Sequence, residues 1–472
     1  MPELRAYQRA GIQFLRQGPP NKILNDYMGM GKTCVVVSDF DGTSKPNTRI
    51  LIVAPDTTFA NWTREILTWT DATPDQIACV SKPQHVNRIT TKTKWLITTW
   101  DAIRVKTTKT ERGKTTKIAI QIGYAIFGWK PNFIAFDEAH RKLKNVGTQY
   151  HTGVKMLTSL ATRVTFMTGT LLANHVLNLW VLLNLCDRRK WSSKWAFLKD
   201  HANAHPGAFG WQWTRGATDP KRLAAEVKDY VLCRRPEDVG LELPDVFFND
   251  IYFPMSDQQA LLTKEVVETG LLETPDELMF VTNGLAKMTR LRQIALSPAI
   301  LGIGGYGSKI DYVVETVVHN PDQKFVVFCE WSVPLNFLQN ALEAESIRVA
   351  VLMGPTSDVD APVTQFQTDD ETRVFLTTIA KGGPGISLTR GDVVIFLNKS
   401  YAADDNEQAW KRVHRDGRVG KVLVQNLRTE NSIEDEVYDT LLEKATNAEA
   451  VLTILRSYAK DFMKQYESTT RS

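Results

Sequence analysis

Short apolar, β-branched runs recur along the first part of the chain, each followed by turn residues or a helical period: "ILIVAP" at 50–55, "WLITTW" at 95–100, "FIAFDEAH" at 133–140 and "VTFMTGT" at 164–170. A strand apolar at every position, and not only at alternate ones, is a strand buried on both faces. Such strands alternating with helices predict a parallel sheet covered by helices on each side. The rhythm restarts in "KFVVFCEW" at 324–331, "RVAVLMG" at 348–354, "RVFLTT" at 373–378 and "DVVIFLN" at 392–398, so two α/β lobes are expected. Between them "NLWVLLNLCDRRKWSSKWAFLKDH" and "DELMFVTNGLAKMTRLRQIAL" read as helix, the former rich in tryptophan. The expected division is a first lobe over 1–183, a mostly helical insertion and connector over 184–305, a second lobe over 306–445 and a C-terminal helical tail over 446–472. The glycine-rich "GIGGYGSK" at 302–309 offers the backbone freedom of a hinge.

Composition narrows the class without naming it. A chain of 472 residues, 43% of them apolar, can bury the cores of about three domains. The net charge of +4 neither requires nor forbids a polyanionic partner, since one groove can be basic on a nearly neutral molecule. Cys34, Cys79, Cys186, Cys233 and Cys329 lack paired metal-ligand spacing, and no secretory signal or membrane-length apolar run is present. A reduced, cytoplasmic setting away from membranes is the expectation.

Chemistry enters at "KILNDYMGMGKT", residues 22–33: a strand, a tight glycine turn, then a helix beginning near Lys32. The amides of Met28, Gly29, Met30 and Gly31 and the helix N-terminus form an anion cradle, from which Lys32 can reach β- and γ-phosphates while the Thr33 hydroxyl suits Mg²⁺. Asp26 stands where the pattern GxxxxGK[ST] has its first glycine. An incidental glycine turn capping a helix is the alternative. In "FIAFDEAH" an apolar strand ends in Asp137, placed to hold Mg²⁺, and Glu138, placed to orient and deprotonate water; the alternative is a pair of acids capping the next helix.

The order and spacing of "DYMGMGKT", "DEAH", "TGTLLAN" at 168–174 and "QAWKRVHRDGR" at 408–418 resemble the motor motifs of superfamily 2 helicases, most of all the Swi/Snf-type ATPases, over nearly the whole chain. The resemblance implies two RecA-like lobes, ATP and Mg²⁺ as cofactors, and a nucleic-acid-dependent ATPase. It gives Gln8 in "LRAYQRAGIQFL" the adenine edge, and makes "ILIVAPDTTFANWTREI" (50–66) and "LITTWDAIR" (96–104, with Thr98 and Thr99) strand-tracking segments. His140 with Thr168, Gly169 and Thr170 would couple hydrolysis to motion. "LRQIALSPAIL" (291–301) and "NSIEDEV" (431–437) resemble the family's connectors. In "KGGPGISLT" (381–389), backbone near Gly385 would meet ribose, and Thr378 and Lys381 would meet nucleic acid. Tyr27, Leu171, Asp416 and Arg418 depart from the family's usual residues, which points to a distant branch.

Arg412 and Arg415 lie three apart, a spacing that on a helix aims both guanidiniums one way. An ordinary solvated helix face would look the same. By the resemblance they reach the γ-phosphate held by the first lobe, and Gln408 contacts nucleotide or links the lobes. The run "RVKTTKTERGKTTK" at 104–117, with Lys106, Lys109, Arg112 and Lys114, reads as a polar hairpin or loop able to touch phosphate, or as plain solvated surface. Trp191, Trp195, Trp211 and Trp213 sit among basic residues, where they either pack between helices or stack on unpaired bases.

The expectation is thus a monomeric, ATP-dependent translocase on double-stranded or branched DNA, in a compact form suited to a bacterial cytoplasm or a phage-infected cell. A strand-separating or branch-migrating helicase is the alternative. An RNA helicase and a nucleotide-gated scaffold without turnover rank behind it.

Overall fold

A computed structural model of the protein describes residues 2–109, 115–119, 121–169, 171, 176–207, 210–214, 216–275, 278–281, 283–354, 359–382, 386–415 and 417–471, with backbone alone at 107–109, 115–119, 121, 278, 285, 439–449, 470 and 471. The chain divides into two units, one of Met1–Glu242 with Lys444–Ser472, the other of Leu243–Glu443.

Strands of the first unit, in chain order, are β1 (Asn21–Asp26), β2 (Ile50–Val53), β3 (Ile77–Val80), β4 (Trp95–Thr98), β5 (Val105–Lys109), β6 (Thr115–Ala119), β7 (Phe133–Phe136), β8 (Arg163–Met167), β9 (His205–Gly207), β10 (Gly210–Gln212) and β11 (Val231–Arg234). Seven form one parallel sheet in the order β11-β1-β8-β7-β2-β4-β3, while β5 with β6 and β9 with β10 make separate antiparallel hairpins. The continuous apolar runs are explained by two cores. Leu51, Val53, Ile134 and Phe136 enter one, while Ile50, Ile52, Phe133 and Ala135, their neighbours along the same strands, enter the other. Both faces are covered, so no position on these strands can be polar without a partner.

The second unit repeats the plan with β12 (Val246–Phe253), a hairpin of β13 (Leu271–Glu273) and β14 (Leu278–Phe280), then β15 (Phe325–Cys329), β16 (Arg348–Leu352), β17 (Thr372–Thr378), β18 (Val393–Phe396) and β19 (Val422–Thr429). Six of these pair in parallel in the order β12-β19-β18-β15-β17-β16. At the C-terminal end of β19 the Lys309 ammonium, fully buried, donates to Glu434 at 2.7 Å and to the Leu427 carbonyl at 3.1 Å, and Glu434 also accepts the Thr429 amide at 2.7 Å. This gives "NSIEDEV" a physical role: it delivers the carboxylate that neutralises Lys309 inside the unit.

The stretch 184–305 is not a body of its own. Its strand β11 completes the first sheet beside β1, its strand β12 completes the second beside β19, and the boundary between units falls at 242/243. Residues from 444 onward belong to the first unit, where Val451, Leu455 and Ala459 enter its cores and Arg456 pairs with Glu237 and Asp238. Among the described residues no helix is long and apolar enough to cross a membrane.

Asp26 and Arg234 are register partners at the ends of β1 and β11, and both side chains are fully buried. Arg234 donates from Nε and Nη2 to the two carboxylate oxygens at 2.9 and 2.5 Å, and from Nη1 to the Tyr7 carbonyl at 2.5 Å. Removing one partner of such a pair strands a buried charge, so Arg234→Met is expected to destabilise the protein by about 3–5 kcal/mol. Urea unfolding measures it, and adding Asp26→Asn to that variant should restore part of the loss.

Candidate active site

The site is built on strand ends of the first sheet. Past Asp26 the chain turns through Tyr27–Gly31 into the helix Lys32–Thr43, and Gly29 and Gly31 hold φ of 81° and 77°, which favours glycine at both. A Cβ on Gly31 would lie 2.7 Å from the Gln8 amide nitrogen and 3.0 Å from the Cys34 sulfur, so the loop also needs glycine for space. Gln8 therefore stands directly against the loop, its Oε1 accepting the Arg5 amide at 2.8 Å. Next to it the Tyr7 hydroxyl donates to the Met30 carbonyl at 3.1 Å. Lys32 turns back over the loop, its ammonium donating to the Asp26 and Tyr27 carbonyls at 2.7 and 3.3 Å. Met28 and Met30 are buried and pin the turn, while Thr33 is half-buried at the first turn of the helix.

Asp137 follows β7, and its environment is unusual for a carboxylate. The buried Trp62 indole donates to Oδ2 at 3.1 Å, the Glu138 amide to Oδ1 at 3.0 Å, and the Trp100 indole to the Asp137 carbonyl at 2.9 Å. Burial raises its pKa to about 6, the Glu138 charge adds to that rise, and the Trp62 bond and the Lys32 charge oppose it. Glu138 takes φ 50° and ψ 43°, a left-handed conformation that costs a non-glycine residue about 1–3 kcal/mol. From there its carboxylate lies 3.5 Å from His140 Nδ1, and that nitrogen lies 2.8 Å from the Thr168 hydroxyl. One polar chain thus joins the residues after β7 to the residue after β8. Gly169 continues it toward the loop, with a Cβ there standing 3.9 Å from Met28.

The remaining expected residues fall out unevenly. Thr98 is fully buried and donates to the Val80 carbonyl at 2.7 Å, so its hydroxyl serves the sheet and offers nothing to a nucleic acid. Thr99 is half-buried and accepts the Ala102 amide at 3.3 Å. Lys106 is exposed on the β5–β6 hairpin. Thr170, Gly385, Arg112 and Lys114, and the side chain of Lys109, lie outside the described residues. Sequence reasoning missed Trp62, Trp100, Arg234 and Tyr7. Trp62 lay in view inside "NWTREI", but only the tertiary bond reveals its tie to Asp137.

In the second unit Gln408 is buried on the helix Ala403–Trp410. That helix stops two residues short of Arg412, so the expected helical spacing of the two arginines does not hold. Amides of 412 and 413 bond carbonyls three residues back, tightening the chain out of the α-helix. The segment 386–388 gathers the arginines instead: the Leu388 amide donates to the Arg412 carbonyl at 2.9 Å, and Arg415 donates to the Ile386 carbonyl at 3.0 Å. His414 between them has another task. Its Nε2 carries the proton, since it meets the Pro244 carbonyl at 2.7 Å, and burial lowers its pKa. Thr378 ends β17, and Lys381 sits half-buried on the short helix after it.

Two family models cover this arrangement: an SNF2-related domain over residues 7–300 and a helicase conserved C-terminal domain over 308–417. The chain belongs to the SNF2-related family. That places it by class among nucleic-acid-dependent ATPases, with the first unit's strand-end residues and the 408–415 segment inside the matched regions. It is 25% identical over 94% of its length to the DNA annealing helicase and endonuclease ZRANB3 of Bos taurus, of which it covers 40%. Identity is 27% with the ISWI chromatin-remodeling complex ATPase ISW1 of Saccharomyces cerevisiae, over 94% of this chain and 40% of that protein. Among solved structures, the Sulfolobus solfataricus SWI2/SNF2 ATPase core in complex with dsDNA aligns over 98% of this chain and 95% of its own, at 23% identity and a TM-score of 0.41. The chain spans about 40% of the length of the curated relatives named.

The donor set fits a nucleotide with Mg²⁺. Among the described residues no cluster of three or more acidic, histidine or cysteine side chains could cage a metal. Mg²⁺ needs no such cage, since it binds through one or two protein oxygens, phosphates and water. Thr33 and Asp137 supply oxygens of that kind. A protonated Asp137 cannot take a cation, so ATP turnover should fall as pH drops through about 6 in dilute Mg²⁺. Metal and proton compete for one carboxylate, hence more Mg²⁺ should move this acid limb to lower pH. Trp62→Phe, which removes a donor to the charged form, should move it higher. Rate–pH profiles at two Mg²⁺ concentrations check both shifts; a limb indifferent to metal and to Trp62 would contradict the assignment.

Proposed function

We propose that the protein is an ATP-dependent translocase on double-stranded DNA that remodels DNA or protein–DNA complexes. The observation that carries the reading is the meeting of Lys32, Asp137 and Glu138 at the ends of β1 and β7, separated in the sheet only by β8, whose own end carries Thr168. Bound Mg²⁺ would neutralise charge on the phosphates and polarise them. The chain's residues do the rest. Lys32 adds positive charge at the loop, and Glu138 takes a proton from the attacking water. Arg412 and Arg415 have the family's part of stabilising charge on the transferring phosphoryl. His140 and Thr168 link a change at Glu138 to the end of β8, through a 3.5 Å polar contact and a 2.8 Å hydrogen bond. The DNA substrate is supported by the relatives, a DNA annealing helicase and a chromatin-remodeling ATPase.

Lys32→Ala, Glu138→Gln and Arg415→Ala should each abolish DNA-stimulated hydrolysis while DNA binding persists. The expected loss is on the order of a hundredfold to ten-thousandfold for the general base and about a thousandfold or more for the arginine. Stimulated ATPase rates across single-stranded, duplex, forked and four-way DNA and RNA test substrate class; normal turnover by all three variants would refute the site. Triplex displacement without unwinding of a forked duplex is the outcome expected of a translocase. Robust unwinding would favour a strand-separating helicase instead.

A further inference from the structure

The segment 187–200 carries a second concentration of chemistry, remote from the glycine loop. Asn21, at the start of β1, donates to the Cys186 carbonyl at 2.9 Å, whereas the glycine loop leaves the far end of that strand. The chain beyond Cys186 is thus built out from the opposite strand ends of the first sheet. Trp191 is buried and anchors it, edge-on to Phe197 and Tyr230 at 5.8 and 6.2 Å. Trp195, on the helix Lys194–Ala202, and Trp211, on β10, are different: each is 39% exposed. Their rings lie 4.8 Å apart, inclined by 32°, with Trp213 edge-on to Trp195 at 6.0 Å and its indole nitrogen buried without a hydrogen-bond partner.

The charge around these rings is predominantly positive. Between Asp187 and Asp200 stand Arg188, Arg189, Lys190, Lys194 and Lys199. Asp187 is engaged by the Tyr230 hydroxyl at 2.9 Å and by the amides of Arg189 and Lys190 at 3.0 Å. Lys194 lies 4.9 Å from the Trp195 ring and 5.6 Å from that of Trp213, and Lys199 lies 5.3 Å from Trp211. Neither lysine enters an ion pair among the described residues, and Glu226 is engaged by Arg222 and His201. A purely structural tryptophan cluster would bury its outer rings, and a protein-docking patch is typically depleted of lysine. Exposed indoles flanked by unpaired ammonium groups match instead a strand whose phosphates are negative and whose base faces are open.

We propose that Trp195 and Trp211, with Lys194 and Lys199, form a stacking platform for unpaired nucleotides of a nucleic acid. Duplex DNA offers its base faces only at ends and openings, so the platform selects single-stranded or opened segments. Each lysine can swing from a ring to a neighbouring phosphate as a base takes its place.

The test is fluorescence anisotropy of the full chain with a labelled oligothymidylate of about twenty nucleotides and with a blunt duplex of the same length, without ATP. Trp195→Ala/Trp211→Ala should weaken single-strand binding by about tenfold or more and leave duplex affinity and unstimulated ATPase unchanged. Trp195→Phe/Trp211→Phe, which keeps aromatic faces, should retain most of it. An oligonucleotide carrying 2-aminopurine should lose fluorescence with the parent protein and keep it with the alanine variant. Should circular dichroism show the alanine pair to be misfolded, Lys194→Glu/Lys199→Glu replaces it, with weaker binding and a shallower salt dependence expected. Absent single-strand binding by the parent, unchanged binding by the folded variants, or an equal loss on duplex would overturn the proposal.

Discussion

The glycine loop rests on one buried ion pair. Asp26 occupies the position where a phosphate-binding loop pattern begins with glycine, and its carboxylate meets Arg234 in a two-bond fork with neither group touching water. A glycine at 26 would leave that guanidinium buried without its counter-charge. The third arm of the fork takes the Tyr7 carbonyl, which fixes the helix that also sets Gln8 against Gly31 and Tyr7 against Met30. Even Gly11 conforms: a Cβ there would stand 2.9 Å from Arg234 Nη2. Such pairs add little net stability over a well-packed apolar substitute, because desolvating two charges offsets most of their attraction. Their value is in geometry. One guanidinium has one low-energy way to satisfy a carboxylate and a carbonyl at once, so the start of the loop, the end of β11 and the first helix are held in one register.

A second constraint lies after β7, where strain and hydrogen bonds act together. The left-handed backbone at Glu138 turns the chain sharply, so that Asp137 and Glu138 serve different partners although they are adjacent. Asp137 is clamped through its carboxylate by one indole and through its carbonyl by another, while Glu138 turns toward His140 and Thr168. Two fixed indole donors leave Asp137 little freedom to reorient. Glu138 meets His140 Nδ1 across 3.5 Å, so the two adjacent carboxylates answer to separate neighbours.

Most of the fold was legible because its strands are buried on both faces, and a run such as "FIAF" cannot be anything exposed. The remainder was hidden for identifiable reasons. β11 is four residues long and lies beside helical, tryptophan-rich sequence, so its short apolar run carried no distinctive period. β12 is an edge strand with exposed aromatics and reads neither as a buried run nor as a clean alternation. The motif chemistry was visible as residues, but not as contacts. Asp26 and Arg234 are 208 positions apart, and nothing local announces their pairing. Residues 411–415 continue a helical pattern in sequence, yet tertiary bonds to 386–388 and to Pro244 draw them out of the helix. Thr98 shows the reverse, a plausible surface hydroxyl already committed to Val80 inside the sheet.

The two ends of the first sheet's strands therefore follow opposite rules. At the end where β1, β7 and β8 give way to the loop, Asp137 and Glu138, polar groups are shielded and mutually bonded, and burial shifts Asp137 toward its acid form. At the opposite strand ends, charge and aromatic surface are left open, with lysines that carry no counter-ion among the described residues. Shielding sharpens electrostatics for chemistry, while exposure keeps stacking faces and cations available to a long, flexible polymer. A single rigid sheet can carry both because each depends on local contacts at its own end. Substitutions at one should leave the other unchanged, as expected for sites that share no partners.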